Sequence, residues 1–297
     1  MDKKIISDYK KAGEIAQEVQ ALAKKKLKIG TNLYSFAEEM EKAIITKGGF
    51  PAFPINLSRN NSAAHYTPSF ESEEEANEDV IKVDVGVHVN GYITDCAQTI
   101  DLSGKYSDMV TASETALENA IKLVKEGALL GKIGATIEET IKAKGFNSVQ
   151  NLSGHGVDYF DAHVSPTIPN VGSGDSRKLE DGIAIAIEPF ATNGRGFVKE
   201  GGQAEIFQLE EKKPLRSKEA RKIFDFIEEE YSTLPFAERW LHRELDMSEF
   251  SKKVGLRELM QKQCVKVFPE LKEEQGKIVT QAETTLLLTE GKVIRLL

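Results

Sequence analysis

Cysteine is nearly absent. Cys96 and Cys264 are the only two in 297 residues and stand too far apart in sequence to form a metal-binding motif. That excludes a thiolate zinc site and a disulfide scaffold, and points to reduced thiols in a cytoplasmic setting. Long apolar runs are missing too. Nothing approaches the ~20 residues of a membrane span, and the first residues, MDKKIISDYKKAGEIAQEV, carry charge at helical spacing where a signal peptide would be apolar. The expectation is a soluble protein with no membrane partner. Positive charge is in deficit: the formal net charge is -8, which argues against a specific nucleic-acid partner held on a broad basic surface. The one basic cluster, Lys24, Lys25, Lys26 and Lys28, reads as the solvated end of a helix. Neither tandem repeats nor low-complexity tracts are evident.

What is present is a mixture of helices and strands along the whole length, so the fold class is α+β. Ile6, Tyr9, Ile15, Val19, Leu22 and Ala23 recur at helical spacing over 3–28, with Gly30 as a stop. A second helix is expected from Ser35, where Glu38 completes a capping-box pattern, to Gly48-Gly49. A third follows Ser107 and stops near Gly127, and Thr136 with Glu139 repeats the capping pattern before a short helix ending at Gly145. Strand-like stretches are VIKVDVGVHV, YITDCAQTIDL, AIAIEPF, AEIFQL, KIVTQAETTLLLTE and GKVIRLL. The charged, helix-rich segment 214–268 is expected to be a helical insertion within a single catalytic domain spanning 1–297.

Asp84, Asp95, His155, Glu188 and Glu283 each sit in an apolar, strand-like stretch, where a charge is costly unless something pairs with it. Four carboxylates and one imidazole are too acidic for a single structural zinc; the set suits two hard or borderline divalent ions sharing bridging carboxylates, and such sites perform hydrolysis. Asn90-Gly91 between two alternating segments is a strong signal for a two-residue hairpin turn. Counting outward from it, facing residues have numbers summing to 181, so Asp84 faces Ala97, Asp95 faces Gly86, and both aspartates share one face. As diagonal neighbours their Cα atoms would lie ~7–8 Å apart, within reach of a shared pair of ions. Parity leaves open a solvent-facing hairpin whose polar face is Lys82, Asp84 and His88; His88, beside the turn, reads as solvated. His155 lies in NLSGHG, whose glycines free the backbone, or it is an ordinary loop residue. A single buried glutamate is commonly an ion-pair partner, whereas several sharing one site repel and keep their protons unless cations bind.

FPINLS and AAHYTP within 54–68, VDVGVHVNGYITDCAQT at 83–99, NLSGHG at 151–156, AIEPFAT at 186–192, LPFAERWL at 234–241 and VTQAE at 279–283 together resemble the methionine aminopeptidases. The match is to the short archaeal form of the type II branch, within the pita-bread fold shared with prolidases and creatinases. It covers nearly the whole chain. The resemblance implies pseudo-twofold halves around a dinuclear centre held by Asp84, Asp95, His155, Glu188 and Glu283, with 214–268 as the type II insertion. It implies removal of the initiator methionine from nascent chains with a small second residue, by metal-activated water whose proton Glu188 shuttles to the leaving amine. His163, in DAHVSP, and His65, in AAHYTP, would contact the substrate carbonyl and its amide nitrogen, with Phe53, Ala162 and Phe190 around the methionine side chain. Co, Mn, Fe or Zn all fit the ligand types. A cytoplasmic monomer, associating at most transiently with ribosomes, is the family expectation.

The pattern is not followed everywhere. Phe and His often flank the last glutamate in that family, whereas this chain reads Gln281-Ala282-Glu283-Thr284, and the acidic run GVDYFDA between His155 and His163 is expected to alter how His163 titrates. Two rivals are a prolidase, disfavoured by the insertion and by the lack of a separate N-terminal domain, and a non-catalytic binding protein of the same fold, disfavoured because all five ligand positions are kept.

Overall fold

The computed structural model describes residues 1–297. Helix α1 (Lys3–Lys26) is capped by Asp2, which accepts the Lys4 amide, and its last turn carries Lys24, Lys25 and Lys26, favourable at a helix C-terminus. Its buried stripe includes Tyr9, Ala12, Ile15, Val19 and Ala23. Helix α2 (Leu33–Thr46) starts earlier than the Ser35 pattern predicts, because Asn32 caps it by accepting the Ser35 amide. Both helices pack on one face of the first ribbon, Val80–Val89 with Tyr92–Asp101, in a core of Ile15, Val19, Phe36, Met40, Val83 and Val85 among others.

The ribbon's register is the one counted from the turn: Asp84 pairs with Ala97 and Gly86 with Asp95. Asn90 and Gly91 have φ of 51° and 89°, the left-handed pair that a tight hairpin turn of matching twist requires.

Helices α3 (Ser107–Ile121) and α4 (Leu130–Ala143) form the corresponding pair in the second half. α3 ends short of Gly127. Thr136 lies inside α4 and caps nothing; its carbonyl accepts the Thr140 hydroxyl, and the helix begins after Leu129 without a side-chain cap. These helices cover a second ribbon in which Ile183–Ile187 pairs antiparallel with Thr284–Thr289, and Phe190–Thr192 with Val279–Gln281. Both strands are interrupted at the same level, at 188–189 on one side and 282–283 on the other, while the register is the same before and after: Ile187 faces Thr284 and Phe190 faces Gln281. The pair Ile183–Ile187 and Thr284–Thr289 belongs to a five-stranded sheet that also contains Ser153–Asp158 and Asp161–Pro169, while Phe190–Thr192 and Val279–Gln281 continue the ribbon in a three-stranded one.

Within 214–268 lie α5 (Lys218–Glu230), α6 (Glu238–Glu244) and α7 (Glu249–Gln261). They have a core of their own, including Ile223, Phe224, Phe236, Trp240 and Leu259. They rest on a small sheet whose central strand, Ile206–Leu209, begins before Pro214. The segment is latched to α2 through buried charge. Arg239 is ion-paired with Glu41 and, at 3.2 Å, with Glu38, while the Trp240 Nε1–H donates to Glu41 at 2.8 Å. No helix is long and apolar enough to cross a membrane.

Candidate metal centre

The two ribbons meet edge to edge, and the joint is where the acids collect. Ala97 and Glu283 exchange backbone bonds, Glu283 N–H to the Ala97 carbonyl at 2.9 Å and Ala97 N–H to the Glu283 carbonyl at 3.4 Å. On either side the rung is made by a threonine hydroxyl. Thr285 Oγ1 accepts the Asp95 amide at 2.7 Å and donates to the Asp95 carbonyl at 2.8 Å. Thr99 Oγ1 accepts the Gln281 amide at 2.8 Å and donates to its carbonyl at 2.7 Å. Three rungs of one antiparallel register thus fix Asp95 and Glu283 beside each other.

Asp84 sits next to Asp95 on the same ribbon face, near enough for the Asp95 carboxyl to push the Asp84 pKa up. Glu188 comes from the break at 188–189. His155 lies in a strand paired with Ala186; its Nδ1–H donates to the Gly156 carbonyl at 3.1 Å, which leaves Nε2 facing Glu188 Oε1 at 3.9 Å. The flanking glycines serve close packing more than backbone freedom: a Cβ on Gly154 would lie 2.3 Å from the Ala186 carbonyl oxygen, and one on Gly156 2.5 Å from that of Ser165. One donor atom each from Asp95, His155 and Glu283 lie within 4.8 Å of one another.

Gln281, which sequence reading treats only as a flanking difference, takes a central place. Its Nε2 donates to Asp84 at 3.2 Å, Glu283 at 3.3 Å and Glu188 at 3.4 Å, while its buried Oε1 has no partner.

Burial pushes all four carboxyls up, Asp84, Glu188 and Glu283 well above the ordinary carboxylate range, and the neighbouring acids push the same way for those three. No lysine or arginine reaches any of them. Four acids and an imidazole whose Nε2 is bare form a donor set for hard or borderline divalent cations, and with such cations bound the acids would ionise. The residues fit a metal.

A cavity of about 610 Å³ opens onto these groups and is lined by Phe53, His65, His163, Phe190 and Phe268 among others. Phe53, His65, His163 and Phe268 form an aromatic box with ring centroids 5.4–6.0 Å apart. Phe268, at the end of the 214–268 segment, carries no local sign of the site, because only the tertiary fold brings it here. His65 holds a left-handed φ of 65°, its amide donating to Asn56 at 2.6 Å and its Nδ1–H to the Pro269 carbonyl at 3.3 Å. Burial lowers its pKa to about 4. His163 also stays well below the imidazole range, through burial of its ring and the adjacent His155, His65 and Lys266; the aspartates of GVDYFDA are not the cause.

Three expectations change. Ala162 does not line the cavity, since alternation along its strand turns it away from His163 into a core with Tyr9 and Ile93. His88 is not solvated: it is buried, stacked on Phe50 and close to Phe160. Lys82 is fully buried as well, its Nζ donating to the Asn60 carbonyl at 3.0 Å, so the aspartate face of the hairpin points into the protein.

The model of metallopeptidase family M24 matches residues 7–212. A methionine aminopeptidase of Methanocaldococcus jannaschii is 42% identical over 97% of this chain and 98% of its own length. Among solved structures, a thermophilic Arx1 superposes with a TM-score of 0.86 at 20% identity, over 100% of this chain and 91% of that one. The methionine aminopeptidase of Thermotoga maritima gives 0.70 at 22% identity, over 100% and 97%.

Proposed function

We propose, for a chain that belongs to metallopeptidase family M24, that it is a methionine aminopeptidase, cleaving the first peptide bond of polypeptides that begin with methionine and have a small second residue. The observation that carries this reading is the convergence of Asp84, Asp95, His155, Glu188 and Glu283 at one end of a cavity walled by an aromatic box. Asp84, Asp95, His155, Glu188 and Glu283 would hold two divalent ions, Mn, Fe, Co or Zn by ligand type. Bound there, divalent ions supply Lewis acidity toward water and the scissile carbonyl.

The chain's own groups do the rest. Glu188, at the break in its strand, takes the proton of the attacking water and returns it to the departing amine. His65 is neutral above pH about 4; because its Nδ1–H is engaged by the Pro269 carbonyl, Nε2 is left to accept from the amide N–H of the substrate. His163, also neutral, donates to the carbonyl oxygen as negative charge grows there. Phe53, Phe190 and Phe268 enclose the methionine side chain and exclude water. The free α-amine of the substrate would be taken up by the ions that Asp84, Asp95, His155, Glu188 and Glu283 hold, which restricts cleavage to chain ends. By family expectation the protein is a monomer acting on nascent chains in the cytoplasm, with ribosome association no more than transient.

The test is release of methionine from Met-Ala-Ser by metal-stripped protein titrated with Mn(II) or Co(II), beside Ala-Pro. Metal-dependent release of methionine with Ala-Pro intact is expected. Cleavage of Ala-Pro in its place would make the protein a prolidase, and no hydrolysis at any loading would leave a binding role.

A further inference from the structure

The acidic run between His155 and His163 plays no part in the centre, yet it is built with care. Residues 158–161 form a turn in which Phe160 adopts a left-handed φ of 50°; its amide donates to the Gly91 carbonyl at 2.8 Å and its carbonyl accepts the Thr233 hydroxyl at 2.5 Å. Two hairpin turns are thereby tied back to back. Gly91 is needed there twice over, for its positive φ and because a Cβ would lie 2.4 Å from the Phe160 ring.

The result is a continuous chain of rings: Phe50, His88, Phe160, Tyr159, Tyr92 and Tyr9, with successive centroids 4.8–5.6 Å apart. His88 and Tyr9 are buried, but Phe50 is 55% and Tyr159 58% exposed, with Tyr92 and Phe160 half-buried. Burial and the neighbouring Tyr159, then Asp158, Asp8 and Asp2, raise the Tyr92 phenol, and Asp161 accepts the His163 amide at 3.3 Å. None of these four aspartates is among the ion-paired acids. Exposed rings beside unpaired carboxylates match a guanidinium, which stacks on an aromatic face and pairs with a carboxylate at once. Along the first ribbon His88 lies four residues from Asp84, a span of about 13 Å, so the belt is separate from the metal centre while sharing a strand with it.

The geometry points to a docking surface for an arginine-bearing, extended segment of a partner protein. Nucleic acid is disfavoured by the carboxylates, and a second copy of a chain with net charge -8 by mutual repulsion. The surface goes beyond the proposed activity and does not depend on it.

The probe is a labelled, N-acetylated (Gly-Arg)₅ amide, which has no free α-amine and cannot be a substrate, titrated by fluorescence anisotropy with the full chain at low salt. Saturable binding is expected, weakened about tenfold by combining Phe50→Ser with Tyr159→Ser and again by Asp158→Asn, since the rings attract the cation and the carboxylate pairs with it. Methionine release from Met-Ala-Ser by the same variants should be unchanged, which also shows that they fold. (Gly-Lys)₅ should bind more weakly and (Gly-Glu)₅ not at all. Overturning results are no binding to (Gly-Arg)₅, binding unaffected by the ring substitutions, equal binding of a single-stranded RNA, or self-association at the assay concentration that the ring substitutions abolish.

Discussion

Two clusters of buried acids sit in this molecule under opposite conditions. At the latch, Glu41 is surrounded by donors of the protein's own making: the Arg239 guanidinium, the Trp240 Nε1–H and the Ile55 amide. Burial pushes its carboxyl up and all three oppose that. At the ribbon joint, four acids share one site with a neutral amide, Gln281, and no guanidinium or ammonium. The chain provides a cation where the purpose is to fasten two parts together. Where it omits one, the omission is itself the sign of a site for ions from outside.

The contrast can be tested from its strongest consequence downward. Glu188→Gln keeps the shape and removes the proton carrier; methionine release should fall about 10²–10⁴-fold, with metal content followed by atomic absorption to separate lost chemistry from lost metal. At the latch, Arg239→Met leaves Glu41 buried and unpaired and should cost about 3–5 kcal/mol in urea denaturation, much of it recovered by adding Glu41→Gln. Glu283→Gln in metal-free protein should have the opposite sign, raising Tm, because it removes an acid that has no counter-charge; a lower Tm would mean that the centre is not electrostatically strained. Gln281→Leu should weaken metal affinity about 10–100-fold, read by competition with a chelating dye.

Glu205 lies between the two extremes. Burial and Glu238 raise its pKa to about 7, against the pull of Arg239 and Lys253. Folded protein therefore holds a proton there that unfolded protein has released, so stability declines as pH rises from about 4.5 to 7. Glu205→Gln does not titrate and should be more stable than the parent at pH 8 by on the order of 1–2 kcal/mol, with the gap closing toward pH 4.5 in parallel thermal melts.

The first ribbon was legible because its rules are local: a turn dipeptide fixes the register, and parity then puts Asp84 and Asp95 on one face. Which face was buried could not be read from parity, and Lys82 and His88 show why. A lysine and a histidine look solvated until the strand is seen covered on both sides. Helix starts are ambiguous locally in two ways. Asn32, three residues before Ser35, is an equally good cap by type, and Thr136 has the right spacing in the middle of a helix. Ala162 was lost to alternation next to His163. Gln281, Thr99 and Thr285 carry little local signal, since apart from Glu283 beside Gln281 their partners lie 93 to 197 residues away. Phe268 reaches the box only because the whole segment 214–268 folds back.

The three rungs at the joint also have a mechanical meaning. They pair Asp95 with Thr285, Ala97 with Glu283 and Thr99 with Gln281, along one short line running past the ligands. A line of bonds resists sliding: moving one strand past the other would have to break all three rungs together, so the spacing of Asp95 and Glu283 is set by the joint itself.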